Sequence, residues 1–343
     1  MVNKKSKKQT IKKTRKTNQA QSSSNSILLE NYKTLKKIVY VLIAMVIIVF
    51  GLYLKPIITN SLKPANSNFG SRLTNIDAQF SAANLAIINN ASNNYFEIAG
   101  QRLLNNSLTD PVLPFPANKS NQYPLFIANG KPSVIYIGAI TCVFCGENRW
   151  AMALALSRFG SFSKLFYGYS AFGDHDVPTI YWNDYNYTTS SSVGYGNYYS
   201  SKYINFISAD YESNITQGFT LRPLSFYVQL APNQTYKNAF EFMNSTNKFV
   251  GTPFTFWGTS LVPGADAVVF GNSTPTSATL PLTSMTHQQV LNQIKNFNDQ
   301  FAYGEYAAAD VYIAYVCPGI NNSASVCSLP AIKQLEIDMN LSK

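Results

Sequence analysis

Two cysteines spaced as CxxC, Cys142 and Cys145, constrain the fold of this chain more than any other feature. They stand between a strand-like apolar run, 134–139, and an apolar helical pattern, 149–159. A strand that leads through CxxC into a helix places sulfur beside unpaired backbone N–H groups and the positive end of the helix dipole, which stabilise a thiolate. The pattern therefore predicts a redox centre. Cys142 is expected to be exposed, acidified and attacking, and Cys145 to resolve the mixed disulfide.

The residues around the pair offer little further control of its redox potential. Val143 and Phe144 carry neither charge nor hydrogen-bonding capacity in their side chains, so the helix end is expected to set the potential and to give a moderate oxidant. Two interpretations are open for Glu147 and Arg149, in the first turns of the helix: an influence on the thiolate, or a local solvent-exposed pair, which we favour. The pattern leaves oxidase, reductase and isomerase activities open.

The net charge of +10 is concentrated before residue 38. Those 37 residues hold eleven of the 27 basic residues and one of the 17 acidic residues, so the remainder is balanced. A balanced region offers no basic face for phosphates, and we expect no nucleic-acid partner. The low overall share of charged residues, 13%, also predicts resistance to acid, because few carboxylates need protonating as the pH falls.

An uncharged run of seventeen residues, Ile38–Leu54, predicts a transmembrane helix flanked by Lys37 and Lys55. A cleavable signal peptide is the alternative, but Lys55-Pro56 supplies no small-residue cleavage site. The basic arm belongs on the cytoplasmic side by the positive-inside rule. The sequence therefore predicts a single-pass protein of the cell membrane, with its N-terminus cytoplasmic and its C-terminal domain outside.

Glycosylation signals agree with an external domain. Every Asn-x-Ser/Thr acceptor follows the predicted anchor, although Asn, Ser and Thr are abundant enough there for such triplets to arise by chance. The acceptors that predict a glycoprotein are Asn90, Asn105, Asn118, Asn186, Asn214, Asn233, Asn244, Asn272, Asn321 and Asn340.

The predicted organisation has four parts. They are a basic cytoplasmic tail (1–37), a transmembrane helix (38–54), a stalk (55–75) and an extracytoplasmic domain (76–343) with an insertion at about 174–247. One or two short helices are expected within 76–104. A second strand at 164–169 would form a parallel pair with the first, since strand, helix, strand is the βαβ pattern of an α/β fold.

The later elements are predicted from shorter patterns. Strand-like pieces occur at 179–182, 203–207 and 224–230, followed by a helix at 236–243. Two strands are expected at 253–257 and 267–270, joined by a turn near Pro263. Two helices are expected after them, at 288–301 and 306–316.

Several motifs together carry a family resemblance. They are Asn129-Gly130-Lys131-Pro132, the CxxC, Arg149-Trp150, Ser157-Arg158-Phe159-Gly160, Gly251-Thr252-Pro253-Phe254 and Ser325-Val326-Cys327. On these residues the chain resembles the thioredoxin superfamily and, more closely, an uncharacterised archaeal family of membrane-anchored thioredoxin-like proteins, over roughly residues 76–330. It departs from that family in carrying Val143 where Pro is frequent.

The resemblance implies a thioredoxin-like mixed sheet flanked by helices, with a substrate-binding loop opposite the CxxC. Thr252–Pro253 would be a cis peptide bond, and Thr252 would offer its backbone to an extended substrate segment. Val177–Pro178 is the competing position, because it lies nearer to Cys145 in the sequence.

The second pair, Cys317 and Cys327, encloses nine residues. Four cysteines allow three pairings, and we favour 142–145 with 317–327, the latter a structural disulfide in an oxidising exterior. A relay that exchanges electrons with the first pair is an alternative. A four-cysteine zinc site is disfavoured by the wide second spacing, and His175 and His287 are interpreted as surface residues, so neither metal nor cofactor is expected.

The sequence thus predicts a membrane-anchored extracytoplasmic thiol-disulfide oxidoreductase that acts on thiols or disulfides of secreted or surface proteins. A redox partner would regenerate its pair. The alternative is a non-catalytic cell-surface binding or structural protein that retains a thioredoxin-like fold.

Overall fold

The computed structural model describes part of the chain. The described residues are 35–37, 39–40, 79–105, 123–140, 142–170, 177–184, 193–211, 222–249, 251–258, 260–263, 282 and 285–341. The chain divides into two compact units, Met1–Asn68 and Phe69–Lys343. In the first unit, residues 35–37 and 39–40 are helical. The predicted stalk and most of the predicted tail and anchor lie outside the described residues. Among the described residues, no helix is long and apolar enough to cross a membrane.

All other described elements belong to the second unit. Its strands are β1 (Ile127–Ala128), β2 (Lys131–Ala139), β3 (Gly160–Phe162), β4 (Phe166–Tyr169), β5 (Pro178–Tyr181), β6 (Val193–Tyr195), β7 (Tyr199–Ser201), β8 (Asn205–Tyr211), β9 (Phe254–Trp257) and β10 (Ser260–Pro263). Its α-helices are α1 (Ala82–Asn89), α2 (Asn93–Leu104), α3 (Val143–Leu156), α4 (Leu224–Gln229), α5 (Gln234–Ser245), α6 (His287–Asn296), α7 (Gln300–Val316) and α8 (Pro330–Asp338).

A mixed sheet forms the centre of this unit. Its strand order is β10-β9-β2-β8-β6, and β1 pairs with the start of β2. The β2–β8 pair is parallel, whereas β2–β9, β9–β10 and β6–β8 are antiparallel. The prediction of an α/β fold with a mixed sheet flanked by helices is confirmed at this level.

Alternating residues of β2 divide the core between the two faces of the sheet, as the period of two in a strand requires. Val134 and Tyr136 join a large cluster with residues of α2, α3 and α7. Ile135 and Ile137 join a smaller cluster with residues of α4 and α5. The sheet is therefore covered on both faces, which explains why β2 is buried from Ser133 to Ala139.

The predicted parallel partner of the first strand was wrong. The run at 164–169 contributes β4, which pairs antiparallel with β5 in a separate two-stranded sheet. The strand that lies parallel to β2 is β8, much later in the chain. Because β8 and β9 occupy the two edges of β2, no edge remains there for β4.

Two further predictions are corrected by local geometry. Residues 224–230 form the helix α4 rather than a strand, and the buried side chains of Leu224 and Tyr227 lie three residues apart on one helix face. The hairpin after β9 turns at Gly258, whose positive φ of 67° suits a tight turn. Its second strand is therefore 260–263, while the predicted strand 267–270 lies outside the described residues.

The helices near the C-terminus meet at a sharp break. Phe297 has a left-handed conformation that ends α6, and the side chain of Asp299 caps α7 by accepting from the N–H of Ala302. Helix α7 is buried along almost its whole length and packs against α2, α3 and α8. It is the central helix of the larger core cluster.

Candidate functional site

The CxxC lies at the junction of β2 and α3, where the sequence predicts it. Cys142 is the N-cap of α3, and its Sγ accepts a hydrogen bond from the N–H of Cys145 at 3.3 Å. The N–H of Gly146 donates to the carbonyl oxygen of Cys142 at 3.0 Å. The cysteine sulfur thus takes the place of the serine or aspartate oxygen that usually caps a helix.

Both thiols are free, so the structure represents the dithiol form of the pair. Ala139, the last residue of β2, donates its N–H to the Sγ of Cys145 at 3.4 Å. Each sulfur therefore receives one backbone N–H, Cys142 from the helix and Cys145 from the strand. Hydrogen bonds of this kind stabilise a thiolate.

The expected exposure of Cys142 was wrong. Its residue is 5% exposed, and Cys145 is fully buried. The reason is the loop that contains Thr252, because the Cys142 thiol donates to the carbonyl oxygen of Thr252 at 3.5 Å. Val143 is also buried and Phe144 is half-buried, so little of the segment 142–145 is exposed to solvent.

The two thiols titrate in opposite directions. Burial raises the pKa of the Cys142 thiol well above its ordinary value, against the predicted acidification. Burial also raises the pKa of Cys145, but the side-chain interaction with Cys142, the charge of Arg149 and the N–H of Ala139 together lower it. The acidified sulfur of the reduced pair is therefore the inner one.

The loop opposite the pair has the predicted geometry. Thr252–Pro253 is the only cis peptide bond among the described residues, so the competing Val177–Pro178 bond is trans. Thr252 is buried and lies against Cys142 through its carbonyl group. The structure thus brings together Cys142, Cys145 and Thr252, whereas their roles in binding and catalysis stay predictions.

A buried polar cluster beneath the pair was missed by the sequence analysis. Arg149 and Asp210 are both fully buried, and Nη2 of Arg149 lies 2.6 Å from Oδ1 of Asp210. The hydroxyl of Tyr136 donates to the same Asp210 oxygen at 3.0 Å. Arg149 is therefore not a solvent-exposed residue, and Glu147 is likewise buried. The signal in the sequence is a single charge in each of two mostly apolar runs, Arg149 in 149–157 and Asp210 in 203–211.

The second cysteine pair forms the predicted disulfide, Cys317–Cys327. It joins the end of α7 to a 3-10 turn, Ser325–Ser328, that leads to α8. Both residues are fully buried, which suits a structural disulfide better than a relay.

The described part of the chain contains no group of three or more His, Cys, Asp or Glu residues placed to hold a metal ion. His287 is half-buried, and its Nε2 lies 2.6 Å from the carbonyl oxygen of Gly168 and 3.0 Å from that of Thr179. It therefore tethers α6 to the β4–β5 hairpin rather than lying free at the surface. His175 lies outside the described residues.

Comparison with known proteins gives a family without an assigned activity. The family model described as "Domain of unknown function (DUF929)" matches residues 119–318. The chain belongs to this family. The searches of curated proteins and of solved structures found no match.

The matched segment contains the whole candidate site. It begins before β1 and ends just after α7, so it includes the CxxC, Arg149, Asp210 and the Thr252–Pro253 loop. Cys317 lies within the segment and Cys327 lies beyond it. The match therefore covers the sheet and the strand-to-helix junction that carries the CxxC, and the family description assigns no chemistry to them.

Proposed function

We propose that this protein is a membrane-anchored thiol-disulfide oxidoreductase of thioredoxin-like architecture, which acts outside the cell membrane on secreted or surface proteins. The observation that carries the proposal is the arrangement of Cys142 and Cys145. Both sulfurs accept backbone N–H bonds at a strand-to-helix junction, and the carbonyl group of Thr252 faces the outer one. An inert cysteine pair does not need this arrangement.

The order of the sheet supports the thioredoxin-like part of the proposal. Strands β8, β2, β9 and β10 are neighbours, with the first pair parallel and the next two antiparallel. Helix α3 follows β2, and α7 follows the β9–β10 hairpin in the sequence. Such an arrangement of βαβ and ββα halves around a CxxC is what the resemblance implies.

The proposed chemistry is a reversible two-electron exchange. A substrate thiolate attacks the Cys142 sulfur of the oxidised pair, the Cys142–Cys145 bond breaks, and Cys145 leaves as a thiolate. A second substrate thiolate then attacks the substrate sulfur of the mixed disulfide and releases Cys142. The substrate dithiol becomes a disulfide, and two electrons and two protons pass to the cysteine pair.

Access to Cys142 runs beside the Thr252–Pro253 loop. A Cβ atom at Gly251 would meet no atom of the described residues within 4 Å, so none of them crowds the chain just before Thr252. An extended substrate segment approaching from this side would reach the backbone of Thr252, and strand-like pairing there would hold its sulfur near Cys142. We assign substrate binding to Thr252 and Pro253 on this basis.

The competing function is a non-catalytic surface protein that retains the fold. It is favoured by the 5% exposure of Cys142 and by the raised pKa of its thiol, because both slow the attack of the Cys142 sulfur on a substrate disulfide. Reactivity of the pair in the folded protein separates the two functions.

The test uses the full-length protein with a Cys145→Ala substitution. A substrate disulfide attacked by Cys142 should then remain as a mixed disulfide, because no resolving thiol is present. The matched control is Cys145→Ala combined with Cys142→Ser, which should trap nothing. If the Cys145→Ala variant traps no disulfide-bonded protein partner and the wild-type pair does not equilibrate with glutathione, the oxidoreductase proposal fails and the surface-protein function is preferred.

The proposed topology has its own test. In intact cells, a membrane-impermeant maleimide should label a Lys333→Cys variant that also carries Cys142→Ser and Cys145→Ala, because residue 333 is exposed and the domain lies outside. A Ser22→Cys variant with Cys142→Ser and Cys145→Ala should be labelled only after the cells are permeabilised, because residue 22 would be cytoplasmic. Labelling of Ser22→Cys in intact cells would reverse the proposed orientation of the 38–54 anchor.

A further inference from the structure

The buried ion pair beneath the CxxC is the most informative cluster that the proposed reaction does not use. Arg149 is four residues after Cys145 on α3, and Asp210 is on β8. Their charged atoms lie 2.6 Å apart with no exposed side-chain surface on either residue. Removing two charges from water is costly, and their mutual attraction often does no more than offset that cost. Stability alone therefore does not account for such a pair.

The peptide of Ala139 links this pair to the inner cysteine. Nη2 of Arg149 donates to the carbonyl oxygen of Ala139 at 3.1 Å, and the N–H of Ala139 donates to the Sγ of Cys145 at 3.4 Å. Arg149 thus holds the end of β2 in the position from which its N–H reaches the sulfur. One side chain provides both geometry and positive charge at Cys145.

The groups around the guanidinium leave its charge effective. Asp210 is the carboxylate that faces it, and the rings of Tyr136 and Tyr181 lie with their centroids 5.8 Å and 5.0 Å away. The hydroxyl of Tyr136 donates to Asp210, which draws part of the carboxylate's charge away from Arg149. In a buried site with low dielectric, a cation near a sulfur favours the thiolate over the thiol.

We propose that Arg149 is a positioning residue that stabilises the Cys145 thiolate of the reduced pair, that Asp210 limits this effect, and that together they make the pair an oxidant of protein dithiols. This inference rests on the proposed oxidoreductase function and adds the direction of electron flow and the residues that set it.

The direction follows from the exchange itself. When a substrate thiolate attacks Cys142 in the oxidised pair, Cys145 is the leaving group, and a stabilised thiolate leaves faster. At equilibrium the same stabilisation favours the reduced pair and the oxidised substrate, because a couple whose reduced form is stabilised is the stronger oxidant. The Arg149 charge lowers the pKa of Cys145, and the Asp210 charge raises it. Removing the Arg149 charge should therefore shift the dithiol–disulfide equilibrium of the pair toward the disulfide. Removing the Asp210 charge should shift it toward the dithiol.

The test measures the equilibrium of the full-length protein with reduced glutathione and glutathione disulfide. For Arg149→Met, we expect the equilibrium to shift at least tenfold toward the disulfide form, which corresponds to a potential about 30 mV lower. For Asp210→Asn, whose amide can still accept from Arg149 and Tyr136, we expect a shift toward the dithiol form. Arg149→Lys should lie between the wild type and Arg149→Met. The pH dependence of thiol alkylation should show matching changes in the pKa of the pair.

Opposite signs distinguish this role from simple destabilisation, which would affect both variants alike. The double variant Arg149→Met with Asp210→Leu removes both charges and retains apolar packing, so it provides a folded version if Arg149→Met alone unfolds. Because it lacks the guanidinium, its Cys145 pKa should lie above that of the wild type, since burial raises this pKa and the lowering charge of Arg149 is gone.

Arg158→Met is the matched control, because Arg158 is a half-buried arginine that, like Arg149, donates to backbone carbonyl groups, but lies just beyond the C-terminal end of α3. It should change stability and leave the potential unaltered.

Two results would overturn the inference. One is a glutathione equilibrium constant for Arg149→Met within about threefold of the wild-type value or, if Arg149→Met unfolds, one for the double variant within about threefold of the value for Asp210→Asn, which lacks only the Asp210 charge. The other is a shift of the Arg149→Met and Asp210→Asn variants in the same direction. If the wild-type pair itself does not equilibrate with glutathione, the proposed function fails before the role of Arg149 arises.

Discussion

Gly138 shows how a single residue makes room for the polar cluster beneath the cysteines. It stands opposite Asp210 in the parallel β2–β8 pair. A Cβ atom added there would lie 1.9 Å from the hydroxyl oxygen of Tyr136 and 2.6 Å from Oδ1 of Asp210. These separations are far below van der Waals contact, so the hydrogen bond between Tyr136 and Asp210 requires glycine at this position.

Substituting Gly138→Ala should therefore destabilise the protein by about 1–3 kcal/mol, the usual cost of overpacking a buried site. The measurement is urea unfolding of the reduced full-length protein. Gly251→Ala is the control, because its Cβ would meet no atom of the described residues within 4 Å, and its stability should stay within about 0.5 kcal/mol of the wild type. Equal stabilities for the two variants would show that Tyr136 can move aside at no cost.

For single residues, the sequence predicts the site residues that belong to a recognisable local motif. It does not predict the site residues that come together only in the fold. Cys142 and Cys145 are marked by the strand-to-helix transition, and Thr252–Pro253 by the family resemblance. Asp210 is 61 residues from Arg149, and nothing local connects the two. The exposure of Cys142 was also beyond reach, because the carbonyl that covers its sulfur is 110 residues away.

Among the larger elements, the Cys317–Cys327 disulfide fastens the end of α7 to the turn before α8. Removing it with Cys317→Ala and Cys327→Ala should cost about 2.5–3 kcal/mol by loop-closure entropy. Thermal unfolding measures this loss. The glutathione equilibrium of the Cys142–Cys145 pair should not change, since both sulfurs of the disulfide are buried. A changed exchange rate at the first pair would instead support the relay alternative.

The sequence predicts long, periodic elements better than short ones. The helix behind the CxxC, the helix at 236–243 and the strand at 253–257 are confirmed with small shifts of their ends. Helix α4 has six residues, too few for a helical period to be distinguished from a strand. The partner of β2 was misassigned because an intervening hairpin resembles the second strand of a βαβ unit.

For the whole molecule, buried carboxyl groups decide how stability responds to pH. Burial raises the pKa of Glu305 well above its ordinary value, and the nearby Glu147 raises it further. Burial and Glu97 raise the pKa of Asp310 in the same way, although the N–H of Gly100 lowers it. A group whose pKa is raised by folding adds stability that is complete below its unfolded pKa and is lost as the pH rises through the folded value.

Acidification from neutral pH to about pH 4, near the unfolded pKa values of Glu and Asp, should therefore increase the free energy of unfolding. Guanidinium unfolding curves at a series of pH values measure it. The variant Glu305→Gln with Asp310→Asn should show a weaker dependence, because neither amide titrates. Stability that falls steadily over this range in the wild type would contradict both this expectation and the acid resistance inferred from composition.

The position of α7 also has a consequence for biosynthesis. This helix packs directly on the CxxC helix, yet it is made more than 150 residues after Cys145. At ribosomal rates of about 5–20 residues per second, that delay lasts roughly 8–30 s. During this interval the nascent chain cannot close its interior over the two thiols, so oxidants meet them more easily in the newborn protein than in the finished one.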